Sequence, residues 1–206
     1  VSGDDVALVL DSMNAQFSVA DAGTNPVVIT GLSLTGEHAA NYQLLNPSLS
    51  ADIIPLSINI VPDPDQTKIY GEADPVFTYT NDPLIGSDVF AGSLSRSTGE
   101  NIGDYDFDLA TLSAGGNYAL TLMTEIFNIA SRPLAVSAIA DTKVYDGTVI
   151  STAMPVITAG SLAFADTAGF SQVFADALVG IDKTLMPSGI VNDGNGGANY
   201  NVIFNN

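Results

Sequence analysis

The groups in this 206-residue chain that could do chemistry are mostly oxygens. There is no cysteine and a single histidine, His38, in "GEHAAN". A three-histidine zinc site cannot form, and no His-based triad is expected, because the matching positions of the other repeats described below hold no histidine. His38 reads as an exposed turn residue. Carboxylates are plentiful, and three stretches gather them: Asp63 and Asp65 in "PDPDQ", Asp104, Asp106 and Asp108 in "GDYDFD", and Asp193 in "NDGNGG". A hard cation such as calcium takes several oxygen ligands, so these are the candidate metal positions. "NDGNGG" lacks the D-x-[DN]-x-[DN]-G spacing and the distal glutamate of a calcium loop. Each stretch also has a plain structural reading: a proline-stiffened turn, a solvated strand face that discourages edge pairing, and a glycine-rich hairpin. A carboxylate pair could serve a glycosidase, but nothing in the sequence places a cleft around these. No enzyme is expected, and calcium is the one cofactor kept in view.

The elements that would carry these groups recur. "EHAANYQLL", "AGGNYALTL" and "GGANYNVIF" put Asn41-Tyr42, Asn117-Tyr118 and Asn199-Tyr200 at steps of 76 and 82 residues. "TKIYGE" (Lys68, Tyr70, Gly71) and "TKVYDG" (Lys143, Tyr145, Asp146, Gly147) repeat at 75, and Pro55 and Pro133 at 78. Three motifs on one beat mean an internal repeat. The units run 1–54 (partial), 55–131 (complete) and 132–206 (without a last strand). The chain reads as a piece of a longer array.

Strand signals dominate each unit. Leu56, Ile58 and Ile60 alternate in "LSINIV", as do Tyr105, Phe107 and Leu109 in "GDYDFDL" and Tyr118, Leu120 and Leu122 in "NYALTL". "VFTYT" at 76–80 and "EIFNIA" at 125–130 complete the middle unit, and the alanine-rich stretch 164–180 is read as strand. Short strands with a turn every 8–12 residues or so point to a sandwich or barrel. The expected fold is all-β: tandem immunoglobulin-like β-sandwich repeats. The middle core should gather Phe77, Tyr105, Phe107, Tyr118, Leu120 and Ile129. In the Asn-Tyr motif the asparagine should adopt positive φ or bond its own backbone. The tyrosine should start an inward stripe (Tyr42 and Leu44, Tyr118 and Leu120, Tyr200 and Val202), with its hydroxyl bonded across a corner. Lys68 and Lys143 should each pair with an acid of their own unit.

On these motifs, "IYGEADPVFTYT…GDYDFDLATLSAGGNYALTL" resembles the bacterial MBG domain of the YGX type. "TKVYDGT" with "GANYNVIF" resembles the YDG domain, as does 1–54 with "ADAGTNPVVITGLSLTGEHAANYQLL". The resemblance implies a structural stalk, spacer or fibre-forming segment of a bacterial extracellular or cell-surface adhesin of the filamentous-haemagglutinin-like kind. It supplies no catalytic residues. The alternative is a ligand-binding adhesin module that recognises a surface glycan or host protein, with or without calcium. A spacer should show no pocket, whereas a lectin-like module should expose two or more aromatics beside a polar or calcium site.

The charge balance, 5 Lys+Arg against 23 Asp+Glu, repels phosphate backbones and anionic membrane surfaces, so nucleic acid is not expected, and no apolar run approaches the ~18 residues of a span, so neither is membrane insertion. The expected partners are neighbouring repeats, or identical subunits joined by strand addition, because the third unit shows no counterpart of "SADII" or "EIFNIA".

Overall fold

A computed structural model of the chain describes residues 2–206. Seventeen strands and one 3-10 turn, Ala39–Asn41, make up its regular structure among the described residues, and the protein is all-β. The chain divides into two compact units: one of 1–60, 81–91 and 112–121, the other of 61–80, 92–111 and 122–206. Residues 55–131 contribute to both.

The first unit holds β1 (Ala7–Val9), β2 (Asn14–Phe17), β3 (Gly23–Thr30), β4 (Ser33–Thr35) and β5 (Leu49–Ile53). β1 pairs with β4, and a second sheet has the order β2-β3-β5, antiparallel throughout. β6 (Leu56–Pro62), β8 (Tyr79–Asn81) and β11 (Tyr118–Leu122) form a sheet in the order β11-β6-β8. The alternation read in "LSINIV" holds, with Ile58 and Ile60 fully buried while Leu56 at the strand start is not. Tyr118 and Leu120 lie on one face of β11, half-buried and outside the main aromatic cluster, which corrects their placement in a common core. "NYQLL" forms no strand. Its counterparts in the other repeats are held by a Pro-Leu strand, and no such strand lies beside Tyr42 among the described residues.

The second unit is built on β7 (Thr67–Ile69), β9 (Ser95–Arg96), β10 (Gly103–Asp108) and β12 (Ile126–Ala130), in the order β7-β12-β10-β9. β12 runs antiparallel to β10 and parallel to β7. The remaining strands are β13 (Arg132–Ser137), β14 (Val156–Ala159), β15 (Thr167–Phe174), β16 (Leu185–Asn192) and β17 (Tyr200–Asn205). They form a β14-β13-β17 sheet and a two-stranded β15-β16 sheet. The alanine-rich stretch 164–180 is therefore strand only from Thr167 to Phe174.

One apolar cluster fills this unit, including Tyr70, Phe107, Phe127, Ile129, Leu134, Val136, Phe170 and Tyr200. Phe77 meets Phe107 and Phe127 edge to face at 5.3 and 5.2 Å, the geometry that sets ring edge against ring face. Tyr105 packs half-buried against the same cluster, and Asp104, Asp106 and Asp108 alternate to the exposed side of β10. "VFTYT" becomes strand only at Tyr79. Upstream, Gln66 occupies the backbone of Thr78, its Oε1 accepting the N–H and its Nε2 donating to the carbonyl, both at 2.9 Å. The Thr78 N–H is thereby withheld from a ladder, while its carbonyl also accepts the N–H of Asp63 at 3.0 Å.

Candidate functional site

The Asn-Tyr motif folds into the same turn three times. The N–H of Tyr42 donates to the carbonyl of Ala39, that of Tyr118 to Gly115 and that of Tyr200 to Gly197, at 3.1, 3.2 and 3.2 Å. In the second and third turns the accepting residue is a left-handed glycine, Gly115 (φ +89°) and Gly197 (φ +83°), whereas Ala39 in the first is not left-handed. None of the three asparagines has positive φ, contrary to the sequence expectation. The third turn is braced by Asp193, which accepts from the N–H groups of Asn195, Gly197 and Asn199 at 2.8, 2.8 and 3.0 Å. Burial alone would raise that carboxyl's pKa, but the amides hold it below the usual carboxylate range.

Each tyrosine hydroxyl donates to an aspartate of its own repeat: Tyr42 to Asp4, Tyr118 to Asp88 and Tyr200 to Asp166, at 2.7, 2.6 and 2.7 Å. In the second and third repeats the hydroxyl also accepts a backbone N–H from three residues before that aspartate, Ile85 at 2.9 Å and Ala163 at 2.7 Å. Those four-residue turns close on themselves through Asp88 N–H to Ile85 O and Asp166 N–H to Ala163 O. The corner tie expected of the tyrosine is thus a tyrosine-aspartate pair. Its cost to ionisation is plain at Tyr200, where burial and then the Asp166 carboxylate push the hydroxyl up to about 12. The aspartates lie 38, 30 and 34 residues before their tyrosines, with no fixed period, which is why the sequence did not expose them.

The asparagines do something the sequence reading missed. The Asn117 Oδ1 accepts the N–H of Ala22 at 2.7 Å, while its Nδ2 donates to the Asp21 carboxylate at 3.0 Å. The Asn199 Oδ1 accepts the N–H of Ile102 at 3.0 Å, while its Nδ2 donates to the Asn101 side-chain oxygen at 3.0 Å. Ala22 directly precedes Gly23 at the head of β3, and Ile102 directly precedes Gly103 at the head of β10. The two bonds are the same, and in both cases they run from one sequence repeat to the one before it. A carboxamide suits this because it offers one acceptor and two donors, whereas a carboxylate could only accept. Asn199 is fully buried; Asn41, the first of the three, is exposed.

Around Asn199 the two repeats also meet through Tyr70. Its ring lies edge to face on Tyr200 at 5.5 Å and on Phe164 at 5.4 Å, and its hydroxyl donates to Asp166 at 3.1 Å. Arg132 donates to the Tyr70 carbonyl at 3.1 Å and to Ser161 through its carbonyl and hydroxyl. At Gly71 (φ +85°) an added Cβ would overlap the Cβ of Ala163. Between the repeats the chain takes only Ile54 and Pro55 from β5 to β6, and only Ser131 from β12 to β13.

The two motif lysines both pair with acids, by different means. Lys68, 6% exposed, is held by Asp74 at 2.7 Å and Glu100 at 2.5 Å. Arg96, 9% exposed, binds the same two carboxylates and lies over the Tyr105 ring at 4.8 Å. Burial opposes ionisation of Lys68, Arg96 and Asp74, yet their mutual bonds leave both cations with raised and Asp74 with lowered pKa. Lys143 instead closes a local ring, donating to Asp146 and to the hydroxyl and carbonyl of Thr148 at 2.7–2.9 Å. That bond and those from Thr148 bring Asp146 down to about 2.

The calcium candidates do not converge. Among the described residues, no group of three His, Asp or Glu side chains surrounds a common point. Asp65 sits in the left-handed position of its turn (φ 60°), and Asp104 accepts from Asn128 at 2.8 Å. His38 Nδ1 accepts the N–H of Asp5 at 2.9 Å. The pocket-free surface expected of a spacer is not found. A cavity of about 670 Å³ lies between the Lys143–Thr148 segment and the 176–183 loop, and Tyr145 is its exposed ring.

Comparison with known families gives two matches. The family model described as "MBG domain (YGX type)" matches residues 58–128, and that of the YDG domain matches 1–51 and 130–205, more than half the chain. No curated protein and no solved structure matches.

Proposed function

Since the chain belongs to the YDG-domain family and carries an MBG domain of the YGX type between its two YDG stretches, we propose that it is a load-bearing spacer: a stalk or fibre-forming segment of a bacterial extracellular or surface adhesin. In this reading the repeats are immunoglobulin-like sandwiches joined end to end. The observation that carries it is the doubled asparagine clamp, Asn117 to Asp21 and Ala22, and Asn199 to Asn101 and Ile102. A feature that recurs at each boundary serves the array, whereas a binding or catalytic site needs to occur once. Linkers of one or two residues add stiffness, because they leave few soft dihedrals between strands. A glycan-binding role has less support, since the large cavity exposes the single ring of Tyr145. Single-molecule pulling of the full chain tests the proposal. Asn199→Ala should lower the force at which the last two repeats yield, with each repeat otherwise intact. An unchanged force profile would refute the load-bearing role.

A further inference from the structure

The turn before the last Asn-Tyr pair carries a chemistry that the other two lack. Asn195 is the one asparagine of the chain that glycine follows. At the same distance before the motif asparagine the other repeats hold Glu37-His38 and Ser113-Ala114. Asparagine is among the thermolabile side chains, and two features expose this one. Glycine brings no side chain to hinder its own nitrogen from approaching the preceding carboxamide. The Gly196 nitrogen is also unengaged. The N–H groups of Asn195, Gly197 and Asn199 donate to Asp193, and those of Ala198 and Tyr200 to the carbonyls of Asn195 and Gly197. Among the described residues nothing accepts from Gly196, which is exposed and has open space where a Cβ would stand.

Asn195 also stands against the clamp. Its Nδ2 donates at 2.9 Å to the Asn199 Oδ1, the same oxygen that accepts the Ile102 N–H at 3.0 Å. The Asn199 Nδ2 is turned away to Asn101. Position 195 therefore has to offer a donor, which a carboxylate lacks.

We propose that Asn195-Gly196 is a site of spontaneous deamidation, and that its product releases the clamp between the last two repeats. The Gly196 nitrogen bonds to the Asn195 Cγ while the Cγ–Nδ2 bond breaks, and ammonia leaves with the proton that Gly196 gave up. Water then opens the cyclic imide. Opening at Cγ gives aspartate, and opening at the main-chain carbonyl gives isoaspartate. Nothing is oxidised or reduced, and water is the sole co-reactant. Either product sets a carboxylate against the Asn199 Oδ1, acceptor against acceptor. Asn199 is displaced, or turns its carboxamide over to donate to the new charge, and in both cases the Ile102 N–H loses its acceptor. Isoaspartate also lengthens the main chain between Asp193 and the amides of residues 197 and 199 that it holds. The last boundary thereby has a chemical lifetime. The boundary at Asn117, with Ser113 in this place, has none.

The release of the clamp rests on the load-bearing reading, whereas the deamidation does not. The full chain is aged at mildly alkaline pH. Peptide mapping by mass spectrometry follows the conversion of amide to acid, and an isoaspartyl methyltransferase marks isoaspartate. Asn195 should convert at least about tenfold faster than any other asparagine, because only there does glycine leave the carboxamide unshielded. Gly196→Ala should slow it to the rate of the others. Hydrogen exchange at the Ile102 amide reads the consequence. Protection should be present in the fresh chain, lost in the aged chain, and lost at once in Asn195→Asp, whose fold is checked by unchanged exchange in β15 and β16. Conversion of Asn195 no faster than elsewhere overturns the site. Protection of Ile102 that survives in both the aged chain and Asn195→Asp overturns the release. An Ile102 amide already free in the fresh chain refutes the clamp itself, so the two readings fail separately.

Discussion

Tyr70 and Tyr200 meet edge to face with their ring centroids 5.5 Å apart, and both hydroxyls donate to the same oxygen of Asp166. One tyrosine comes from the Lys-x-Tyr motif of the middle repeat and the other from the Asn-Tyr motif of the last. The two motifs that set the period in the sequence thus touch at the boundary between repeats. This gives the boundary an alkaline limit. Burial and then the Asp166 carboxylate raise both hydroxyls, Tyr200 to about 12 against an ordinary value of 10.0. A raised folded-state pKa contributes stability that is fully present below pH 10 and lost as pH climbs from 10 towards 12. Absorbance titration at alkaline pH should show Tyr70 and Tyr200 among the late tyrosines, with stability falling over the same window. Asp166→Asn should bring them down, and early ionisation of all seven tyrosines would contradict this.

The buried ion network in the middle repeat should be sensitive to loss of one member. Asp74→Ala leaves Lys68 and Arg96 buried with Glu100 alone. A fully buried pair broken this way costs about 3–5 kcal/mol. Asp74 is 33% exposed at its side chain and Glu100 remains, so about 2–3 kcal/mol is expected in denaturant unfolding. Lys143→Ala, at the same motif position, should leave the midpoint close to that of the wild type.

Asp146 carries an acid-side signature. Its carboxyl is held at about 2, first by the Lys143 ammonium and then by Thr148, against an ordinary 3.8. Its contribution is present above pH 3.8 and fades as pH falls from 3.8 towards 2. Carboxyl carbon shifts followed by NMR should titrate near 2 in the wild type and move upward in Lys143→Ala.

Phe107 tests the strand register of the middle repeat. It is buried against Phe77 and Phe127, with Asp106 exposed beside it. Phe107→Ala should cost about 3–5 kcal/mol, as buried phenylalanines do. Asp106→Ala should change little.

The sequence made some of this legible and hid the rest for physical reasons. The alternations in "LSINIV" and "DYDFDL" are period-two patterns with one buried face, so they can be read locally, and Ile58, Ile60 and Phe107 are buried as read. The repeat was legible because three motifs share a period. The partners of Asn117 and Asn199 were not, since they lie 95 to 98 residues away in the preceding repeat, in turns of dissimilar sequence around Asp21 and Asn101. "VFTYT" misled because the Gln66 side chain takes the Thr78 N–H, which no propensity shows. "NYQLL" misled because a strand needs a neighbour to pair with.

The central claim is that the Asn-Tyr asparagines tie each repeat to the one before it, and site-resolved hydrogen exchange at the Ala22 and Ile102 amides tests it most directly. Each of these N–H groups donates to an asparagine side chain of the next repeat. Both should be protected in the wild type. Asn117→Ala should release Ala22 alone and Asn199→Ala should release Ile102 alone, with the strands on either side exchanging as before. Free exchange of either amide in the wild type, or protection that survives loss of its asparagine, would contradict the account.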